Sequence, residues 1–213
     1  MGLGMHLQQL NLEQLVFRVI AALFAISVHE LAHGAVAYKL GDPTPKAQGR
    51  LTLNPLKHLD PIGILMLVFF RVGWARPVQI NPLYFKNRRR DEIFTAVAGP
   101  LANITVAWIL NLLSVFVLRL PVNGQTWYLL YTLLVINFQI NIWLAAFNLV
   151  PLPPLDGSRI LGNLLPLIWR IKYERIAPYA PLILILGVWT GLLMWVVSPI
   201  ANFLIWIIQV LSL

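Results

Sequence analysis

His29, Glu30 and His33 stand together in the stretch "HELAH". On a helix, residues i and i+4 share a face about one turn apart, so both imidazoles can reach one metal ion. Tetrahedral zinc takes two such histidines and keeps positions for a third protein ligand and a water. Glu30 follows the first histidine on a neighbouring face. There a carboxylate can take a proton from that water and pass it to a leaving amine.

H-E-x-x-H on a helix is a metalloprotease signature, but it is an incomplete site. The chain has eight acidic residues, and the third ligand must be sought among the other seven. Glu13, Asp42, Asp91, Glu92 and Glu174 fall at expected helix ends or in loops. Asp60, near His58 in "NPLKHLDP", is one option. Asp156 in "FNLVPLPPLDGSRI" fits best. It closes a long uncharged tract, after an apolar helix that should end on the same side as Leu40. His29 and His33 lie about 10–15 Å from that side at 1.5 Å per residue. The prolines stop the helix and leave extended backbone, which membrane depth tolerates only beside protein or water. Gly157 permits a tight turn that aims the carboxylate. Asp156 also has a plain reading, a turn aspartate before glycine. His58 reads as an interfacial or loop histidine.

The elements that must position these groups are membrane helices. Hydrophobic residues make up 59% of the 213-residue chain and charged residues only 11%, with a mean hydropathy of +0.75. A soluble domain averages about 25% charged residues. No charge occurs between Arg119 and Asp156, and none after Arg175. Each tract can hold a span of about 20 residues. With no cysteine, disulfide and thiolate chemistry are excluded. The net charge of +8 fits cytoplasmic loops and anionic headgroups, as does "KNRRRDE", and gives no reason to invoke nucleic acid. The start, "MGLGMHLQQLNLEQ", lacks the pattern of a cleavable signal peptide. Most of the eight tryptophans read as interface anchors.

The expected fold is an all-α polytopic membrane protein of about five transmembrane helices in one domain over residues 1–213. Helices are expected over Leu12 to Leu40, over 93–118, over Trp127 to Val150, and as a pair within 176–213 that turns at Ser198-Pro199. "PIGILMLVFFRVG", residues 61–73, is short for a span and has basic residues on both sides. The positive-inside rule makes it a re-entrant or membrane-surface segment, with room for a small β element. The N-terminus is then outside. Residues 41–91, 151–176 and the tail face the cytoplasm, and the active site lies near that side of the cell (inner) membrane.

The two motifs together, "HELAHG" and "FNLVPLPPLDGSRI", resemble the site-2 protease family of intramembrane zinc metalloproteases, which pairs H-E-x-x-H with N-x-x-P-x-P-x-L-D-G. "GWARPVQINP" and "AGPLAN" are similar to segments of its short bacterial members, which carry no PDZ or CBS domain. The resemblance covers about residues 12–165, a catalytic core, and leaves the apolar final 38 residues unmatched. It implies His29, His33 and Asp156 as ligands of one zinc ion per chain and Glu30 as the catalytic base. It also implies that Asn148 holds substrate or stabilises the oxyanion. By itself, Asn148 reads equally as a residue that caps carbonyls or bonds a neighbouring helix. Gly99, Pro100 and Asn103 read as residues that let helices pack closely. Asn137, Gln139 and Asn141 read as interhelical or water contacts.

The expected function is hydrolysis of peptide bonds within or next to transmembrane helices of protein substrates. The substrate is expected to unwind and pair as a strand with backbone near 47–53 or 76–82, where "RLTL" and "RPVQI" have suitable character. A membrane metal-binding or transport protein would need polar ligands along a path across the bilayer. An inactive substrate-binding homologue would be expected to lack the glutamate. The partners are transmembrane substrates and membrane lipids; the oligomeric state is not legible.

Overall fold

The computed structural model describes residues 12–60, 76–121 and 124–212. Four helices are long and apolar enough to cross a membrane: Glu13–Lys39, Arg88–Arg119, Gln125–Asn148 and Leu192–Leu211. With them, the chain is a multi-pass membrane protein. No strand occurs among the described residues beyond an isolated bridge at Leu59. The expected re-entrant segment at 61–73 lies outside the described residues.

Helix α1 (Leu12–Lys39) has Glu13 in its first turn and Lys39 in its last, each opposing the helix dipole. It stops at Gly41, whose φ of 109° favours glycine. Its buried face is a stripe four residues apart: Ala21, Ala25, His29, His33 and Ala37. Small side chains let helix backbones approach closely without a hydrophobic drive between them. The two histidines therefore stand in the seam where α1 meets its neighbours.

Those neighbours are α2 (Arg88–Arg119) and α3 (Gln125–Asn148). The Asn87 side chain caps α2 by accepting from the Arg90 N–H at 3.2 Å. The inner face of α2 carries Thr95, Ala96, Gly99, Pro100, Asn103 and Ala107, and that of α3 carries Asn137, Asn141, Ala145 and Ala146. The three spans thus pack through small residues and amides, and the amides can satisfy one another where water is absent.

After α3, the segment 151–155 contains three prolines, which cannot continue a hydrogen-bonded helix. Two short helices follow, α4 (Asp156–Leu164) and α5 (Leu167–Glu174). Then come α6 (Ala180–Trp189) and α7 (Leu192–Leu211). Helix α7 lays Leu193, Val197, Ala201, Leu204 and Ile208, one face at helical spacing, on Ile142, Ala145 and Ala146 of α3.

The C-terminal pair differs from expectation. The turn falls at Gly191, in the left-handed region with φ of 76°, and Pro199 lies inside α7. A proline in a membrane helix is tolerated because its neighbours satisfy the freed carbonyl. The displaced turn leaves α6 with ten residues, about 15 Å and too short to span. There are therefore four long apolar helices among the described residues where about five were expected. The tail also differs. Asn111 Nδ2, 23 residues into α2, donates to Ser212 Oγ at 3.0 Å. The end of α7 thus lies toward the end of the bundle away from Arg88, not on the side of the basic loop.

Between α1 and α2 the chain is fastened by Asp42, which is fully buried. Its Oδ1 accepts from the Thr44 N–H at 2.9 Å and its Oδ2 from the Asn81 N–H at 2.7 Å. Segment 76–81 is thereby drawn along the last turns of α1, toward Glu30.

Candidate metal centre

Three ligand atoms from two distant parts of the sequence meet in one triangle. Asp156 Oδ2 lies 3.0 Å from His29 Nε2 and 3.1 Å from His33 Nε2, and the two nitrogens are 3.0 Å apart. A tetrahedral ion with bonds of about 2.0–2.1 Å holds its ligand atoms about 3.3 Å apart, close to this triangle. Among the described residues this is the group of metal-ligating side chains whose atoms converge.

The hydrogen bonds behind the ligands fix their chemistry. His29 Nδ1 is 2.6 Å from Asn103 Oδ1, and His33 Nδ1 is 2.7 Å from the Thr95 carbonyl. Both partners only accept, so both Nδ1 atoms carry the proton in the neutral rings. Each Nε2 then presents a lone pair, and both lone pairs face a carboxylate oxygen. Three buried electron-rich atoms at this spacing repel unless a cation lies among them. The residues present therefore fit a divalent metal ion.

The fold leaves room for these rings at one place on α2. A Cβ on Gly99 would stand 2.4 Å from His33 Nε2 and 2.7 Å from His29 Cε1, so only glycine lets α2 pass this close.

Asp156 is positioned from the other side. A Cβ on Gly157 would stand 2.3 Å from the Leu149 carbonyl oxygen, so the start of α4 packs directly on the end of α3. The far end of α4 is tied to α2. Asn163 Nδ2 donates to Glu92 Oε2 at 2.8 Å, and Arg170 Nη1 donates to Asn163 Oδ1 at 3.0 Å. Burial acts to raise the Asp156 pKa, and positive charge at the Nε2 side, on protonated His29 and His33 rings or on a cation among the three atoms, outweighs it and holds the carboxyl well below the ordinary range. The carboxylate is thus ionised, as a metal ligand must be.

Glu30 lies next to His29, and its Oε2 accepts the backbone N–H of Val78 at 2.8 Å. Asn148 ends α3 and donates from Nδ2 to the Leu144 carbonyl at 3.0 Å; no bond joins it to the cluster. His58 is buried in the loop with Nε2 2.9 Å from the Thr52 carbonyl. Neither His58 nor Asp60 belongs to the converging group. Gly99 and Asn103, read from the sequence as packing residues, prove to contact the imidazoles. The only sequence signal was their spacing of four, the same step that separates His29 from His33.

Helices that cross a membrane around a His-His-Asp cluster, with a glutamate beside the first histidine, define the class of membrane metalloproteases. A family model described as Peptidase family M50 matches residues 117–188, which include Asp156. The chain is 37% identical over 202 residues to "Putative zinc metalloprotease YwhC" of Bacillus subtilis, covering 89% of this chain and 84% of that protein. It is 32% identical over 167 residues to "Putative zinc metalloprotease MJ0611" of Methanocaldococcus jannaschii, covering 76% and 78%. "Zinc metalloprotease MJ0392" of the same organism is 30% identical over 141 residues, 66% of this chain and 32% of that longer protein. No solved structure matches. The chain belongs to peptidase family M50, the site-2 protease family, and is a zinc metalloprotease.

Proposed function

We propose that this metalloprotease works within the membrane, hydrolysing peptide bonds within or next to transmembrane helices of protein substrates. The observation that carries the reading is the depth of the cluster. His29 and His33 lie inside α1, about 15 and 9 Å from its end at Lys39 at 1.5 Å per residue. A substrate bond must come to that depth to be cut, and water must reach it from the near end of the bundle. That end carries Arg88, Arg89, Arg90, Arg159 and Arg170, and the positive-inside rule then makes it cytoplasmic. In a bacterial cell this is the inner membrane.

One zinc ion per chain, held by His29, His33 and Asp156, would supply a Lewis acid for the scissile carbonyl and lower the pKa of a water. Glu30 takes the proton from the attacking water and delivers it to the leaving amine. Asn148, half-buried at the end of α3, exchanges its bond within the helix for one to the substrate carbonyl or the developing oxyanion.

The substrate unwinds and adds as an extended strand to 76–80. There the Arg76 and Val78 N–H groups point inward, to the His58 carbonyl and to Glu30. Pro77 and Gln79, between and after them, are exposed. An extended chain directs alternate residues to opposite sides, so the Pro77 carbonyl and the Gln79 peptide groups face outward for pairing. The other candidate, 47–53, bends back on itself, with the Thr52 N–H bonded to the Arg50 carbonyl.

Mapping the cut by mass spectrometry on purified single-span substrates tests the reading. Cleavage within or beside the apolar segment is expected. Cleavage confined to soluble loops far from it would contradict it.

A further inference from the structure

Behind His29 stands a ladder of buried amides that links all three central spans. Asn103 of α2 presents Oδ1 to His29 Nδ1 at 2.6 Å. Its Nδ2 donates twice, to the Ala25 carbonyl of α1 at 3.0 Å and to Asn141 Oδ1 of α3 at 2.8 Å. Asn141 Nδ2 then donates to the Asn137 carbonyl at 2.9 Å. Asn103 and Asn141 are fully buried.

An asparagine amide can sit in either of two flips, and only one suits the histidine. With Oδ1 toward His29, all partners of Asn103 are complementary. Turned over, its NH₂ would face the Nδ1–H donor, and its oxygen would face two acceptors. The choice is enforced by the two acceptors on the Nδ2 side. One is the Ala25 backbone, which every sequence supplies. The other is the Asn141 side chain.

We infer that Asn141 is a positioning residue for the metal centre: its Oδ1 locks the Asn103 amide in the flip that keeps the proton on His29 Nδ1 and leaves Nε2 free as a ligand. Partners that orient a metal-bound histidine are known to tune metal affinity; here the orienting amide is itself oriented from a third helix. The inference rests on the metal reading of His29, His33 and Asp156 and adds a residue to it.

The test is zinc affinity of the purified full chain, measured by chelator competition, beside the thermal melting of the metal-free protein. Asn141→Leu keeps the heavy-atom branching, though in a bulkier side chain, and removes the acceptor; zinc binding is expected to weaken about tenfold. Asn141→Asp restores the acceptor. Its buried carboxyl is neutral and donates to the Asn137 carbonyl in place of the amide, so affinity should return to that of the wild type. Asn137→Leu makes the same amide-to-leucine exchange one turn away, outside the Asn103 contact, and should leave affinity unchanged. Wild-type zinc affinity in Asn141→Leu, with or without a lowered melting point, overturns the inference. So does an Asn141→Asp variant as weak as Asn141→Leu, or an equal loss in Asn137→Leu. A wild-type chain that binds no zinc removes the metal reading itself, which a selective loss or retention among variants does not.

Discussion

The backbone N–H of Val78 donates to Oε2 of Glu30 at 2.8 Å, joining the proposed base to the segment proposed to receive the substrate. One carboxylate oxygen is thereby anchored, and the side chain is fixed in direction. The donor is a main-chain group, so no substitution at 78 other than proline removes it. Replacing the Val78 peptide bond by an ester, with oxygen in place of N–H, should lower kcat. A bond to a charged group is worth about 1.5–3 kcal/mol, or about ten- to hundredfold in rate. Zinc content should stay unchanged, because no metal ligand is touched. An unaltered kcat would show that Val78 does not orient Glu30.

Gly99 gives a steric prediction. Its missing side chain is the space filled by the two imidazoles, and Gly99→Ala would put a carbon 2.4 Å from His33 Nε2. Either α2 or both rings must move. Zinc binding and activity should fall by more than the about 10–100-fold that loss of an outer partner costs. Gly162→Ala, whose new carbon would meet only Tyr173 at 3.8 Å, should behave as the wild type. Isothermal titration of both variants checks the contrast.

The two candidate aspartates separate cleanly. Asp156→Asn keeps size and hydrogen bonding but removes the charge that faces both Nε2 atoms. It should lose zinc, measured by metal content after dialysis. Asp60→Asn should retain it, since Asp60 is not in the converging group.

Topology is open to chemical labelling because the chain has no cysteine. Single cysteines at Arg89 and at Leu211, both exposed, should react with an impermeant maleimide from opposite sides of the membrane. Reaction from one side would contradict the placement of Ser212 beside Asn111.

Much of the arrangement was legible in sequence for physical reasons. Charge is so costly in a bilayer that "HELAH" and the aspartate of "PPLDG" stand out as soon as the apolar tracts are drawn. Local spacing alone puts His29 and His33 on one face. The ends of α1 and α3 fall within two residues of those expected, whereas α2 starts at Arg88, five residues before the uncharged run at 93–118, because its first turns face the aqueous end and carry the charges. What was not legible depends on contacts between helices. Nothing local to "AGPLAN" says that Gly99 touches an imidazole or that Asn103 bonds His29, because both facts depend on how α1 crosses α2. The C-terminal turn was misplaced because Ser-Pro marks a turn in water, whereas a membrane helix absorbs the proline. The glycine at 191, seven residues earlier, carried the true signal. The amide of Asn148 is bonded within its own helix, to the Leu144 carbonyl, a contact that sequence does not reveal.

Glu30 offers the most direct test of the central claim. Glu30→Gln preserves the side chain's shape and leaves His29, His33 and Asp156 untouched, but cannot take a proton. Purified wild type and Glu30→Gln should each bind about one zinc per chain, and only the wild type should cleave a single-span membrane substrate. Equal cleavage by both proteins would contradict the assignment of Glu30 as the base and, with it, the mechanism built on this cluster.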